Sequence, residues 1–270
     1  MVLQLRWDHQ FQFAGYYAAL WQGYYREAGL EVEILPGFTP EKTKIDVLAA
    51  VAEGRADFGI GAADILVGRD RGLPLVILAS FFQQSAVAFY ALENTRLSSP
   101  ADLLRLRVGR KPGDATDVEM QAMLRAEGID PERVAVHPAR FGVPDLAAGG
   151  IDVVADYTLS ARWTAQRLGL RLVSLRPSTY GVDFYGDSLF TRAGLVEDRP
   201  DLVSRFTRAS IRGWDYAMKH PGEISDRIAS EWKRTLPMED LAGFNRFQAG
   251  ELRHLRSEEH TSELQSRQSI

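Results

Sequence analysis

Residues 2–35 read VLQLRWDHQFQFAGYYAALWQGYYREAGLEVEIL. Residues 2–6 have the composition of a first strand. Residues 14–28 read as one helix closed by Gly29, and residues 31–35 as a second strand. That β–α–β opening sets a rhythm that the next residues keep. Residues 42–53 place Ile45, Leu48, Ala49 and Ala52 at helical spacing and stop at Gly54. Residues 57–60 form a short strand, 64–71 a helix ending at Gly72, and 75–82 and 87–92 two further strands. A mostly parallel sheet covered by helices is expected.

A second unit repeats the rhythm. Residues 99–104 read as a short helix with Ser98 or Ser99 as N-cap and Pro100 in its first turn. Strands are expected at 107–109, 134–137, 153–155 and 171–175, and helices at 117–127, 143–148 and 160–168. Residues 188–191 then read as a strand returning to the first unit, and 200–219, 223–233 and 238–252 as three closing helices. The crossings lie near 85–92 and 180–188. The expected fold class is α/β, with lobe 1 formed by 1–87 and 186–255 and lobe 2 by 88–185. Two crossings between two lobes suit hinge closure over a ligand.

The 270 residues are 45% hydrophobic and 25% charged, ordinary values for a globular chain. A net charge of −4 gives no broad surface for nucleic acid. The absence of cysteine removes disulfides, thiolate catalysis and cysteine-held metals. No run reaches the ~18 apolar residues of a membrane span. Residues 256–266, RSEEHTSELQS, match the in-frame translation of a common sequencing-library adapter. Residues 256–270 are therefore set apart from the fold as adapter-derived. The natural frame is expected to start upstream of Met1 with a leader and to continue past Leu255.

Four blocks carry a resemblance: 5–19 (LRWDHQFQFAGYYAA), 54–61 (GRADFGIG), 180–191 (YGVDFYGDSLFT), and 212–217 (RGWDYA) with His220-Pro221 just after it. Together they resemble the SsuA/Thi-type substrate-binding family, which includes periplasmic receptors for thiamine pyrimidine precursors and the fungal thiamine pyrimidine synthase. They are most similar to the N-terminal binding domains of bacterial sensor kinases and cyclases. The resemblance implies a type II periplasmic-binding-protein fold, two α/β lobes joined by a two-crossing hinge, and capture of a small molecule between them. It implies a periplasmic or other extracytoplasmic location. It implies partnership with an ABC-transporter permease or with a fused kinase or cyclase module, and no cofactor. The synthase carries a lysine that holds pyridoxal phosphate and a histidine that is consumed. The matching positions here are Gly61 and Ile65, and the synthase's cysteine-rich loop has no counterpart.

Candidate site residues are those placed just after strands, where open α/β sheets bind ligands. Trp7, Phe11, Phe13, Tyr16 and Tyr17 cluster after the first strand, and aromatic faces stack on flat heterocycles. Phe13 and Tyr17 lean to the core. Trp7 and Tyr16 read as pocket walls, with core as the alternative. His9 and Gln10 add donors and acceptors beside those rings, and Gly61 lies at the family's ligand turn. Asp64 either caps a helix or faces the ligand. Gln83 ends a buried strand near the hinge. In the second unit, Lys111, Gly113, Asp114 and Thr116 sit in a strand–helix turn able to present N–H groups to an anion. Asp156 and Tyr157 come after the next strand, and Asp183, Tyr185 and Asp187 occupy the return crossing. Carboxylates there favour a ligand with amino or ring N–H donors, with turn and cap chemistry as the alternative. Trp7 and Tyr16 are expected to face Asp156 and Tyr157, with Asp183 or Asp187 near the hinge.

Enzyme signatures are weak. No serine lies in a Gly-x-Ser-x-Gly context. The P-loop spacing is absent, and Gly59-Ile60-Gly61 lacks the third glycine of a dinucleotide motif. The histidines show no metal-ligand spacing. A binding domain is expected, with an enzyme of thiamine-pyrimidine synthesis as the alternative.

Overall fold

A computed structural model describes residues 1–135, 137–139, 142–232 and 240–256. These divide into two compact units. The first holds Met1–Gly61, Gly68–Phe82 and 187–256; the second holds Ala62–Val67 and Gln83–Gly186. The division after Phe82 comes earlier than the expected 87/88. Strand β4 (Leu75–Ser80) ends at Ser80, and the N–H groups of Phe81 and Phe82 donate to Asp187 O within the first unit.

The first unit is built on a five-stranded sheet. Strands β1 (Val2–Gln4), β2 (Glu33–Leu35), β3 (Phe58–Gly61), β4 and β10 (Ser188–Arg192) lie in the order β2-β1-β3-β10-β4. β1 is parallel to β2 and β3, whereas β10 runs antiparallel to β3 and β4. The sheet is thus mixed rather than mostly parallel. The chain leaves after Ser80 and re-enters at Ser188, which pairs with both Ser80 and Gly61. A strand entered at the edge where its neighbours end must run the other way.

The expected helix over 14–28 is two helices, α1 (Ala14–Trp21) and α2 (Tyr24–Glu27). Gly23, at φ +76°, takes the left-handed conformation open to glycine and breaks the ladder between them. Helix α3 (Val47–Ala52) starts later than expected because the Asp46 carboxylate accepts the Ala49 N–H at 3.0 Å and sets the N-terminus. Residues ahead of it form a loop with an isolated bridge from Phe38 to Lys44. Helix α4 spans Asp64–Asp70.

After β10 come α8 (Ala193–Asp198), which the sequence pattern did not reveal, then α9 (Pro200–Lys219), α10 (Pro221–Trp232) and α11 (Leu241–Leu255). Pro200 and Pro221 sit at first helical positions, where the missing N–H costs nothing. Residues 233, 238 and 239 of the expected closing helices lie outside the described residues, as does the adapter-like run beyond Arg256. α1 and α9 cross at two glycines. A Cβ on Gly15 would stand 2.1 Å from Trp214 Cγ, and one on Gly213 2.1 Å from Gly15 O. Phe206 of α9 stacks on Phe58 of β3 at 3.8 Å and on Tyr25 at 5.0 Å, tying helix to sheet.

The second unit has its own sheet, ordered β7-β6-β8-β5-β9. Its strands are β5 (Val87–Leu92), β6 (Val108–Arg110), β7 (His137–Pro138), β8 (Val153–Tyr157) and β9 (Leu172–Leu175). β6 is parallel to β7 and β8; β5 is antiparallel to β8 and β9. Strand alternation divides β5 between two cores. Val87, Phe89 and Ala91 pack with Met120, Met123 and Leu124 of α5 (Ala115–Ala126). Ala88 and Tyr90 pack with Val143 and Leu146 of α6 (Val143–Ala147) and with Ala161 and Ala165 of α7 (Thr158–Arg167). Burial on both faces explains why β5 reads as a continuous apolar run.

Candidate functional site

In the first unit, the candidate residues gather at the edge where β1, β3 and β4 end and β10 begins. Trp7 lies just past β1 and remains 39% exposed. Phe38 meets its ring edge-on at 4.9 Å, and Lys44 Nζ lies 5.9 Å from its centroid. The indole is thus braced from the side with a substantial part of its surface open. A polar chain runs through the same stretch. Gln10 Nε2 donates to Gln12 Oε1 at 2.5 Å, Gln12 Nε2 donates to Asp187 Oδ2 at 2.7 Å, and Arg6 Nη1 lies 3.4 Å from Asp187 Oδ1. Gln10, Gln12 and Asp187 are buried. A buried carboxylate with a cation and an amide donor is satisfied, so Asp187 fixes the start of β10. Arg6 and Gln12 were not singled out from the sequence; only the alternation of glutamine and phenylalanine over 10–13 pointed to them.

Three candidates from the same stretch are placed in the core. His9 stacks on Trp232 at 4.2 Å with 8° between planes, and its Nδ1 is 2.8 Å from Tyr17 Oη. Burial pushes the imidazole down to about 4, so it is neutral at pH 7. Phe11 is fully buried, and its N–H donates to Asn245 Oδ1 of α11. Tyr16 is 2% exposed, set edge-on against Phe81 at 5.6 Å and Trp214 at 5.9 Å. The open-pocket reading of Tyr16 is corrected accordingly. Asn245 and Gln248 accept the N–H groups of Phe11 and Gln12 and hold the turn leading into α1. No local signal marked them, because their partners lie more than 200 residues away.

In the second unit, Asp156 and Tyr157 are the last two residues of β8 rather than residues beyond it. Asp156 Oδ1 accepts the Tyr157 N–H at 2.7 Å and the Ser160 hydroxyl at 3.2 Å. A Cβ on Gly142 would stand 2.5 Å from Asp156 Oδ2, so the start of α6 closes directly on the carboxylate. Burial raises Asp156 to about 6, against the lowering effects of the Tyr157 N–H, Lys111 and Ser160. A carboxyl group titrating there can accept or donate near neutral pH. Lys111 stands one residue past β6, on the same edge, since β6 and β8 are parallel.

The remaining candidates are spread out. Asp114 caps α5, its Oδ1 accepting the Thr116 and Asp117 N–H groups and the Thr116 hydroxyl. Cap chemistry therefore accounts for Asp114. Asp64 Oδ1 accepts the Ala62 N–H at 2.7 Å at the start of α4. Gly61 ends β3 opposite Ser188. Gln83 is partly buried just past β4. Asp183 is exposed and Tyr185 is 59% exposed, both in the second unit. Among the described residues, no three His, Cys, Asp or Glu side chains are grouped to hold a metal ion, and no helix is long and apolar enough to cross a membrane.

A family model described as NMT1/THI5 like matches residues 10–224, most of the chain. The chain belongs to the NMT1/THI5-like family. A formylaminopyrimidine-binding protein of Halalkalibacterium halodurans is 26% identical over 211 residues, covering 77% of this chain and 63% of that protein. The riboflavin-binding protein RibY of Chloroflexus aurantiacus is 28% identical over 236 residues, covering 84% and 64%. The chain thus spans under two thirds of the length of both relatives. Among solved structures, the alkanesulfonate-binding protein SsuA from Xanthomonas axonopodis pv. citri bound to MOPS has a TM-score of 0.68 at 13% identity, covering 92% of this chain and 83% of that one. At that identity the likeness speaks for the fold, and the fold is the two-lobed type II periplasmic-binding-protein architecture expected from the sequence.

Proposed function

We propose that this NMT1/THI5-like chain is a solute-binding domain for a small, flat, polar heterocycle. The observation that carries the reading is Trp7, a braced and open indole at the ligand edge of the first sheet. The second unit contributes chemistry of a different kind: a carboxyl group titrating near neutrality beside Lys111. An aromatic face supplies stacking area and a carboxyl group supplies direction, which suits a ring with amino or ring N–H donors. The named specificities of the relatives, a formylaminopyrimidine and riboflavin, are of that class. Delivery to an ABC-transporter permease, or sensing for a fused kinase or cyclase module, and an extracytoplasmic location belong to the same proposal. The run from residue 256 onward is proposed to be adapter-derived.

The test is a thermal-shift panel of formylaminopyrimidine, riboflavin and an alkanesulfonate, with small-angle scattering on any stabilising solute. Stabilisation by a heterocycle and a smaller radius of gyration are expected, because two units joined by two crossings can move together on binding. Stabilisation by the sulfonate alone would overturn the ligand class, and an unchanged radius at saturation would overturn closure. The enzyme reading is separated by adding pyridoxal phosphate. With Gly61 and Ile65 at the positions compared and no cysteine, no Schiff-base absorbance is expected.

A further inference from the structure

Tyr16, Phe81 and Trp214 form a second aromatic arrangement within the first unit, apart from Trp7. Phe81 and Trp214 stack with centroids 5.4 Å apart and 26° between planes, and Tyr16 stands edge-on to both. Phe82 closes another side, edge-on to Trp214 at 6.2 Å. Phe81 comes directly after β4 and its N–H is held by Asp187 O, so the slot sits at the ligand edge of the sheet.

The slot is filled by the chain itself. The Arg256 guanidinium lies 4.7 Å from the Trp214 centroid and 5.7 Å from that of Phe81. Such distances are within the range of cation–π attraction, and a planar guanidinium is suited to lie on aromatic faces. Asp215, next to Trp214 on α9, favours the charge electrostatically, as does Tyr16. The fit is nevertheless incomplete. Arg256 Nη1 is buried without a hydrogen-bond partner, and burial pulls the guanidinium down to about 10. The aromatic walls come from residues 16, 81, 82 and 214, all upstream of the adapter-like run that Arg256 opens.

We infer that the Tyr16–Phe81–Trp214 slot is a binding site for a flat, delocalised monocation, and that Arg256 occupies it as an internal plug. Aromatic faces with a nearby carboxylate select a planar positive charge. The unpaired Nη1 says which planar cation fits better: one that brings no N–H donor to that point, as an N-alkylated aromatic ring does. Such a ring gains the stacking without stranding a buried donor. Removing the Arg256 side chain opens the slot to it.

The experiment is calorimetric titration of the full chain and of its Arg256→Ala variant. The probes are N-methylpyridinium chloride, guanidinium chloride at millimolar concentration, and neutral toluene. Arg256 lies at the end of the described chain, and circular dichroism checks that the variant is folded. The variant is expected to bind N-methylpyridinium at least tenfold more tightly than the parent does. It should also bind that ion more tightly than guanidinium, and at least tenfold more tightly than toluene. Adding Asp215→Asn should weaken both cations and leave toluene unchanged. Equal N-methylpyridinium affinity in parent and variant overturns the plug. Equal affinity for toluene overturns the cation class, and tighter guanidinium overturns the argument from Nη1. The solute tests at Trp7 read a different site, so the two proposals can fail separately.

Discussion

Acidification from pH 7.5 to 5 should destabilise the first unit through His9 alone by about 2 kcal/mol. In the folded chain the ring packs against Trp232 and Tyr17, and burial holds its pKa at about 4. In the unfolded chain it returns to its ordinary 6.5. Below pH 6.5 the unfolded chain takes up a proton that the folded chain refuses until pH 4. Stability from this group is therefore complete above pH 6.5 and is lost as pH falls toward 4. Linkage puts the loss at about 0.8 kcal/mol at pH 6, about 2 at pH 5 and about 3 at pH 4. The assay is urea unfolding read by tryptophan fluorescence, on the parent and on His9→Gln, which keeps a hydrogen-bonding group and cannot titrate in this range. Other titrating groups contribute equally to both proteins and cancel in the difference of slopes. The variant is less stable at pH 7.5, having lost the stacking on Trp232, but the gap should close by about 2 kcal/mol at pH 5. A gap that stays constant from pH 7.5 to 5 would refute the placement of His9 in the core and return it to the open face.

Replacing Trp7 by Ala should weaken binding of a stabilising heterocycle by about 1–3 kcal/mol, the range for a lost stacking partner. It should cost less fold stability than the about 3–5 kcal/mol of a buried tryptophan; calorimetry paired with melting decides, and intact binding with a collapsed fold sinks the assignment. Asp156, with its pKa raised to about 6 from 3.8, contributes stability that is present below pH 3.8 and lost as pH rises through 6. Asp156→Asn should therefore raise the melting temperature relative to the parent more at pH 8 than at pH 4, by the equivalent of about 1–3 kcal/mol; no pH dependence in that difference counts against the buried carboxyl. Gly213→Ala would set a methyl 2.1 Å from Gly15 O, a backbone atom with little room to yield. It should destabilise by about 1–3 kcal/mol or more, and an unchanged melting temperature would show that α1 and α9 do not cross there.

Much of this chain was legible as sequence because its information is local. The continuous apolar run of β5 announces a strand buried on both faces. Pro200 starts α9 where expected, and the return strand appears at Ser188 as read from residues 188–191. Periodicity and end signals act within one element and survive without the rest of the fold. The residues compared at Gly61 and Ile65 likewise argued for binding over synthesis from identity alone. Tertiary structure decided which of the closely spaced residues 7–16 remain open. Trp7 stays exposed, while His9, Phe11 and Tyr16 are buried by Trp232, Asn245, Phe81 and Trp214. It also decided that β5 and β10 run against their neighbours. Local patterning specifies that a segment is apolar and how it repeats. Which distant surface covers it, and in which direction it enters a sheet, depends on partners far away in the chain and is settled only when they pack.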